Sequence, residues 1–328
     1  MKKRLFKIAR VSLVSITLCF ITLNVFEVVY RYNWIDFYKS ELNALNPEKD
    51  LNLEKEKTIL IFGDSFTANS NSWVNVLRDS LQNFNIINSA IPGTSVFQQN
   101  IFFESRIDQY NPDQIIIQLY VGNDLIDYDR PTNWAQQSIL KNAFWSVSDI
   151  WISIQYLNYK LGYFKSGKDN GKPKEEGKFN PESYNHRTVN YINSDPNIIQ
   201  HSINASGNMK KEMDELMIDL NQMIFNIDIP ISIILIPHCS QVNEYYSFNM
   251  KELGAILDPD QSLNYGFMNQ MEKELISDEK IRVYNCLPTL INNDSESNRM
   301  YYFNDPHLNN AGQLIIGGFI LRNLKSNL

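Results

Sequence analysis

The sequence predicts an α/β fold, a three-layer α/β/α sandwich around a five-stranded parallel sheet, behind an N-terminal transmembrane helix. Three observations predict it. Five short apolar runs alternate with segments of helical periodicity, and the runs are apolar on both faces. Hydrophobic residues make up 43% of the 328 residues, enough for a sizeable core. Such runs are typical of buried parallel strands, and their alternation with helices predicts helical layers on both sides of the sheet.

The N-terminus combines a basic cluster with a long apolar segment. Residues 11–26 carry no charge, and Glu27 is the first acid in the chain. Such a segment is near the short end of what spans a bilayer, about 17–25 residues. A cleaved signal peptide and a buried helix are the alternatives, but the residues after Leu23 lack the small side chains of a cleavage site. We expect residues 1–31 to be an uncleaved anchor in the cell membrane, with its basic tip cytoplasmic and the rest of the chain extracytoplasmic.

The charge distribution excludes nucleic acid as a partner. Five of the 30 Lys and Arg residues lie among the first ten positions, so the remaining chain carries 25 basic against 37 acidic residues. A surface that acidic repels a phosphate backbone, and the sequence has no basic patch with interleaved aromatics to reverse the effect.

The elements follow in order along the chain. Residues 32–57, polar and charged around a few aromatics, are predicted to be a stalk that leads into a sheet domain at residues 58–328. The predicted strands are residues 58–62, 85–88, 114–120, 231–236 and 281–284. The predicted helices are residues 72–81, 94–110, 209–224, 262–276 and 310–324. The alternation stops between about residues 125 and 206, where three of the five tryptophans and a flexible run at 165–178 predict an insertion, part helical and part mobile.

Two cysteines raise the question of a disulfide. Cys239 and Cys286 each follow a predicted strand. In an oxidising compartment, a bridge between neighbouring strand ends is one interpretation. Two inert buried thiols are the interpretation that we favour.

Four short motifs stand at the ends of predicted strands or just before the last helix. Ser65 directly follows the first strand, Gly93 follows the second, and Asn123 follows the third. Asp305 and His307 precede the last helix. Because sites form at the carboxyl ends of parallel strands, we expect these residues to meet at one edge of the sheet. A serine in this place would by itself more often cap the next helix.

Together these motifs resemble those of the SGNH, or GDSL-like, hydrolases. The sequence carries GDSF, the glycine of IPG, GND, and DPH followed by LNNAG, in that family's order. The resemblance covers residues 58–124 and 206–324 and leaves the insertion and the membrane segment outside. It implies the flavodoxin-like SGNH fold and a serine esterase or acyltransferase.

The resemblance implies a role for each site residue. Ser65 would be the nucleophile, His307 the base that takes its proton, and Asp305 the acid that orients the ring. The oxyanion would be held by the backbone N–H groups of Ser65 and Gly93 and by the side-chain amide of Asn123. Glycine suits position 93 because the backbone must approach the substrate closely.

One position departs from the family pattern. The acid usually stands three residues before the histidine, where this chain has Asn304, whereas Asp305 stands two residues before it. An amide cannot supply negative charge, so Asp305 is our choice for the acid. A dyad of Ser65 and His307, oriented by a backbone carbonyl, is the alternative.

The other candidate residues have simpler interpretations. Asp64 and Asp124 are predicted to support their loops by hydrogen bonds, and His238 is predicted to lie at the rim of the sheet. Asp305 and His307 lack a third ligand nearby, so we predict no metal. We also predict no cofactor.

The sequence therefore predicts a membrane-anchored, extracytoplasmic serine esterase that hydrolyses O-acyl esters, with acetyl esters among them. Its expected substrate is an acylated carbohydrate of the cell envelope or of a secreted polysaccharide, or another small ester. One alternative is an O-acyltransferase that uses the same residues with a sugar hydroxyl as acceptor. The other is a non-catalytic envelope protein that keeps the fold for binding or assembly.

Overall fold

The computed structural model describes residues 2–46, 57–128, 139–161, 177–258, 266–275 and 279–325. These residues form two compact units. One unit consists of residues 2–37 and 139–161, and the other of the described residues within 38–128 and 177–325.

The larger unit is built on a sheet in which all neighbouring strands are parallel and the spatial order is β2-β1-β3-β4-β5. The strands are β1 (Lys57–Phe62), β2 (Phe84–Asn88), β3 (Gln114–Tyr120), β4 (Ile231–Ile236) and β5 (Ile281–Asn285). Both ends of each strand lie within one residue of the predicted bounds. The inner strands β3 and β4 are buried at every position, which explains their continuous apolar runs. The predicted fold class is confirmed.

The helices of the described chain divide between the two units. They are α1 (Lys2–Arg31), α2 (Lys39–Leu45), α3 (Val74–Ser80), α4 (Val96–Tyr110), α5 (Asp124–Tyr128), α6 (Ile139–Ile150), α7 (Ser153–Leu161), α8 (His186–Ser194), α9 (Ile198–Asn204), α10 (Met209–Ile224), α11 (Cys239–Val242), α12 (Glu244–Glu252), α13 (Gly266–Leu275), α14 (Leu287–Asn293) and α15 (Asn310–Lys325). A 3₁₀ helix, Pro181–Ser183, precedes α8.

The helices of the larger unit form two packed groups, as expected for layers on the two faces of a parallel sheet. Helices α3, α14 and α15 pack together in one layer, while α4, α5 and α9 pack with α10 and α13 in the other. The predicted helices at 72–81, 94–110, 209–224 and 310–324 correspond to α3, α4, α10 and α15, and the described part of 262–276 is α13. The chain therefore runs back and forth across the sheet and leaves the loops after β1, β2 and β3 at one edge.

The segment predicted to be a stalk contains a packed helix, α2. The Tyr38 ring before it is buried and packs against Phe102, with ring centroids 5.3 Å apart. After it, Asn46 accepts the backbone N–H of Asn88 and donates to the Asn88 carbonyl, both at 2.7 Å. This part of the prediction is wrong, because buried apolar surface and paired backbone groups hold α2 on the sheet unit. Residues 47–56 of the predicted stalk lie outside the described residues.

The smaller unit contains α1, α6 and α7. Helix α1 carries an apolar window within Phe6–Arg31 that has a mean hydropathy of 2.0 and is 6% buried. By length and composition this helix can cross a membrane, although a signal sequence near an N-terminus satisfies the same criterion. Membrane anchoring therefore stays a prediction.

The insertion predicted at about residues 125–206 is helical where it is described. It contains α6, α7, α8 and α9. Most of the run predicted to be flexible, residues 165–178, lies outside the described residues. Four separate short helices explain why the strand–helix alternation of the sheet domain stops here.

Cys239 and Cys286 are buried thiols that form no disulfide. Burial raises the pKa of Cys239 to about 12 and raises that of Cys286 as well. The structure thus agrees with two inert thiols and not with the bridge that was the other interpretation.

Candidate active site

Ser65 lies in the turn that follows β1, at the carboxyl edge of the sheet. Gly63 precedes it at a place where an added Cβ would lie 2.6 Å from Gln118 Oε1, so the turn needs a glycine. The Asp64 N–H donates to that Oε1 at 3.2 Å, and the Asp64 carboxylate accepts the N–H of Phe66 at 2.9 Å. A side chain from β3 thus fixes the turn that presents Ser65.

The Ser65 hydroxyl meets His307, which comes from the far end of the chain. The distance from Ser65 Oγ to His307 Nε2 is 2.7 Å. The imidazole stacks on Phe66, with ring centroids 4.7 Å apart and an interplanar angle of 25°. The His307 side chain is 24% exposed, so the ring is held on an apolar face yet can be reached from solvent.

Asp305 lies on the other side of the His307 ring. Its Oδ1 contacts His307 Nδ1 and also accepts the His307 backbone N–H at 2.9 Å. Its Oδ2 accepts the side-chain amide of Asn185 at 3.0 Å. These contacts favour the tautomer with its proton on Nδ1, which leaves Nε2 as an acceptor for the Ser65 hydroxyl.

Asn304, at the position where the family usually has its acid, faces the insertion instead. Its Oδ1 accepts the backbone N–H of Asn180 at 2.7 Å, and its Nδ2 donates to the Lys178 carbonyl at 3.1 Å. Its own carbonyl accepts the N–H of Asn185 at 2.9 Å. Asn304 therefore fastens the start of α8 to the loop that carries His307.

The two predicted oxyanion donors other than Ser65 lie in different settings. Asn123 lines the same cavity as Ser65, and its Nδ2 donates one N–H to Asp127 Oδ2 at 3.1 Å. Gly93 has a φ of +72°, a conformation that favours glycine. It is exposed and stands beside Arg187, but it is not among the described residues that line the cavity.

A polar network that was not predicted from the sequence joins the insertion to Asn123. Arg187 and Tyr191 in α8 both contact Asp127 Oδ1, and Arg187 also contacts the Tyr191 hydroxyl. Burial lowers the pKa of Arg187, but Asp127 and Tyr191 raise it by more, so the net shift is upward. The i, i+4 spacing of Asn123 and Asp127 on a helix could have indicated their pairing. The polar residues of the insertion offered no comparable signal.

A cavity of about 50 Å³ opens beside Ser65. Its lining comes from the loops after β1, β3 and β4, from the insertion and from the C-terminal loop. The lining residues are Ser65, Phe66, Tyr120, Gly122, Asn123, Asn185, Arg187, Thr188, Tyr191, Ile199, His238, Pro306 and His307. A volume of this size holds a few groups the size of a water molecule.

His238 is a buried wall of this cavity and not a residue of its rim. Burial lowers its pKa to about 3, so its imidazole is neutral near neutral pH. Its Nδ1 accepts the backbone N–H of Ser240 at 3.2 Å, and its ring stacks on Tyr120 with centroids 6.2 Å apart. A ring nitrogen that caps a helix in this way is occupied, so His238 is structural here.

The two acids predicted to support their loops do so. Asp64 accepts the Phe66 N–H, as described above, and Asp124 Oδ2 accepts the Tyr120 N–H at 2.8 Å. Burial raises the pKa of both carboxyl groups. Within the described residues, no three His, Cys, Asp or Glu side chains are grouped as a metal site requires.

Comparisons by sequence find no match to any family model and none among curated proteins. Comparison with solved structures gives several matches. A protein assigned to the G-D-S-L lipolytic family, from Desulfitobacterium hafniense, is 12% identical, with a TM-score of 0.39 over 81% of this chain and 99% of that chain. An acetylxylan esterase from Geobacillus stearothermophilus is 12% identical, with a TM-score of 0.40 over 84% of this chain and 96% of that chain. Lipolytic proteins of the G-D-S-L type and acetylxylan esterases are thus among the solved structures to which the chain is similar.

Proposed function

We propose that the protein is a serine esterase that hydrolyses small O-acyl esters through an acyl-enzyme on Ser65. One observation carries the proposal: Ser65 Oγ lies 2.7 Å from His307 Nε2 on the wall of a cavity, with Asp305 behind the ring. A hydroxyl attacks at neutral pH only when a base takes its proton. In this proposal His307 is that base, and the buried Asp305 carboxylate stabilises the cation that His307 becomes.

The reaction would proceed in two halves. Ser65 Oγ attacks the carbonyl carbon of the ester while its proton passes to His307 Nε2. The imidazolium then gives this proton to the leaving alkoxide oxygen, the ester C–O bond breaks, and the acyl group stays on Ser65. A water molecule repeats the attack, with His307 taking its proton, and releases the carboxylic acid and the Ser65 hydroxyl.

The negative charge of each tetrahedral intermediate needs hydrogen-bond donors. We assign this role to the backbone N–H groups of Ser65 and Gly93 and to Asn123 Nδ2. Asn123 gives one amide N–H to Asp127, so the other is oriented before the substrate arrives. A preorganised donor of this kind is typically worth about 10²–10³ in turnover.

The size of the cavity favours an acetyl or similarly small acyl group. A volume of about 50 Å³ is enough for an acetyl group, which is about the size of a few water molecules. Phe66, Tyr120 and Ile199 supply apolar wall for that methyl group. The alcohol half of the ester would extend from the cavity toward solvent.

The expected substrate and compartment follow from the membrane topology predicted for the N-terminus. If α1 spans the membrane with its basic tip in the cytoplasm, Ser65 and His307 lie on the other side. Acylated carbohydrate of the envelope or of a secreted polysaccharide is then the substrate within reach.

A serine-directed probe tests the proposal. The full chain in detergent is treated with a fluorophosphonate and assayed with an aryl acetate. We expect labelling of Ser65, and a loss of roughly 10⁴-fold or more in kcat/KM for Ser65→Ala. Ser70→Ala is the matched control, since Ser70 is an exposed serine in the same segment, and it should change neither result. A wild-type chain that the probe does not label would favour the non-catalytic envelope protein.

An oligosaccharide acceptor separates hydrolysis from transfer. The aryl acetate assay is repeated with and without the sugar, and both free acetate and acetylated sugar are measured. Acetate release that the sugar does not change supports the esterase. Acetylated sugar with little free acetate would instead favour the O-acyltransferase.

A further inference from the structure

Helix α6 of the smaller unit exposes an apolar stripe. Ile139, Leu140, Val147 and Ile150 are 87%, 76%, 40% and 63% exposed. Positions 139, 143, 147 and 150 follow each other at helical spacing, so they lie on one face, and Ala143 is exposed as well. An apolar stripe of this length is expected to be covered in the working protein.

The opposite face of α6 is packed, so the stripe does not result from a loosely folded helix. Ser148 is fully buried, and its hydroxyl donates to the Trp145 carbonyl at 2.8 Å. Phe144 and Trp145 are half-buried, with ring centroids 5.1 Å apart. The helix therefore has one face against its own unit and one apolar face outward.

The stripe is continuous with the apolar surface of α1. Trp151, directly after α6, packs edge-on against Phe20 of α1, with ring centroids 5.7 Å apart. Around this contact α1 exposes large apolar side chains, among them Ile16 (66%) and Ile21 (52%). The end of α6 is thus held at the level of the apolar segment that is predicted to span the bilayer.

Glu27 fixes this arrangement by hydrogen bonds. Its carboxylate oxygens accept the backbone N–H groups of Ile152 at 3.0 Å and of Ser153 at 2.8 Å, at the start of α7. The first backbone N–H groups of a helix have no acceptor within the helix. They therefore need a side-chain acceptor most where no water can take that role. Phe20 lies seven residues before Glu27, about 10 Å away along the helix axis. The connection between α6 and α7 therefore lies against the part of α1 that would enter the non-cytoplasmic leaflet.

We infer that α6 is a membrane-interface helix, whose apolar stripe inserts into the non-cytoplasmic leaflet beside α1. The occupant of the stripe is lipid, because the stripe continues the surface of α1, which is uncharged over residues 11–26 and mostly apolar over a length that can cross a bilayer. Trp145 and Trp151 fit this position, since tryptophan concentrates at the boundary between lipid and water. The inference rests on α1 spanning the membrane and is independent of the proposed esterase activity.

Cysteine accessibility tests the inference in the full chain. Leu140→Cys and Val147→Cys are introduced separately with Cys19→Ser, while the native Cys239 and Cys286 stay because both are buried. The control is Leu314→Cys, which replaces an apolar side chain that is 64% exposed on α15. Each variant is placed in phosphatidylcholine vesicles and treated with a charged maleimide. We expect the thiols introduced on α6 to react at least about tenfold more slowly than the thiol introduced on α15.

Equal labelling rates at the three positions would overturn the inference. Protection that disappears as the protein is diluted into more lipid would also overturn it, because a second copy of the chain would then be the cover. A bimane label on Val147→Cys provides a second measurement. Lipids brominated on their acyl chains should quench it, and should not quench the same label on Leu314→Cys; a lack of quenching at position 147 contradicts lipid contact.

Discussion

Asp305 uses one carboxylate oxygen for two contacts because it stands two residues before His307. Oδ1 accepts the His307 backbone N–H, which closes an Asx turn, and the same oxygen contacts the ring at Nδ1. An Asx turn requires this spacing of two residues. The spacing of two residues, where the family usually has three, therefore gives the Asp305 carboxylate a hydrogen bond from the His307 backbone. This bond holds the carboxylate in addition to its contact with the ring.

Substitutions of neighbouring residues test this assignment. Asp305→Asn is expected to lower kcat for an aryl acetate by roughly 10³–10⁴, because an amide cannot stabilise the imidazolium. Asn304→Ala, the neighbouring control, should lower the free energy of unfolding by about 1 kcal/mol per lost hydrogen bond and change kcat little. Equal and small effects on kcat would favour the dyad of Ser65 and His307.

His238 is expected to make stability depend on pH. Its folded-state pKa is about 3 and its ordinary value is about 6.5, so between these values only the unfolded chain binds the proton. Stability then rises with pH across this window, by about 1.4 kcal/mol per pH unit for one proton, and is lost on acidification below about pH 6.5. His238→Asn keeps a side-chain acceptor for the Ser240 N–H and removes the titration. Denaturation at pH 7 and pH 5 measures the free energy of unfolding at each pH. The decrease between pH 7 and pH 5 should be smaller in the variant than in the wild type, and an equal decrease would show that His238 does not cause it.

At the scale of elements, α15 depends on two close approaches that only glycine permits. A Cβ at Gly312 would lie 2.2 Å from the Met300 carbonyl oxygen, and one at Gly317 would lie 2.6 Å from the Val76 side chain of α3. Gly312 also donates its N–H to Asn309 Oδ1 at 3.0 Å. The start of α15 is thereby pressed against the loop that carries His307.

Two alanine substitutions in α15 should have opposite effects. Gly312→Ala is expected to cost at least about 1–3 kcal/mol, because a backbone carbonyl cannot move out of the way. Gly318→Ala should gain about 0.5–1 kcal/mol from helix propensity, since its nearest contact would be the flexible end of Arg322 at 3.6 Å. Thermal unfolding of both variants checks this. Two variants with the same sign of Tm shift would contradict the close approach at Gly312.

The pairing of α5 with α8 offers a second test at this scale. Asp127→Asn keeps an acceptor for Arg187 but places an amide against Asn123 Nδ2, so we expect a loss of about 10- to 100-fold in kcat. Because both residues act through one donor, the double variant with Asn123→Ala should be little worse than Asn123→Ala alone. If the kcat losses of the two single variants multiply in the double variant, Asp127 acts through a group other than Asn123.

For the whole molecule, the parallel sheet could be predicted from the sequence, as could the edge of the sheet at which residues of the four motifs lie. Runs such as Ile115–Leu119 are apolar at nearly every position because both faces of an inner parallel strand are covered, and this leaves a pattern that can be read directly. Strand ends then fix where Ser65 and Asn123 emerge. His307 could be assigned only through its motif, because nothing local in the sequence shows that it lies 2.7 Å from a residue near the start of the domain.

The features that could not be predicted depend on contacts between distant polar residues. Asn185, Arg187 and Tyr191 lie in or just before a short helix of the insertion. No periodicity links them to Asp305 and Asp127, which they contact. The packing of α2 was missed for a similar reason. Its attachment depends on one buried ring and one amide, Tyr38 and Asn46, in a segment whose composition is polar.

The membrane prediction also belongs to the whole molecule. The residues after Leu23 are too bulky for a cleavage site, so we expect the anchor to be retained. Protein extracted from membranes should then still contain residues 1–31 by peptide mass spectrometry, and a high-salt wash should not release it. A soluble product shorter by about the length of α1 would show that the segment is a cleaved signal.

The separation of Ser65 and His307 along the chain, 242 positions, has a consequence for biosynthesis. A ribosome makes the hydroxyl early and the imidazole almost last, while Asn185, which holds the acid, emerges between them. On the proposed mechanism, unfinished chains that end before His307 lack the base and cannot react with esters. If the chain beyond α1 is exported as predicted, acyl chemistry would begin only once His307 has been made and has folded against Ser65.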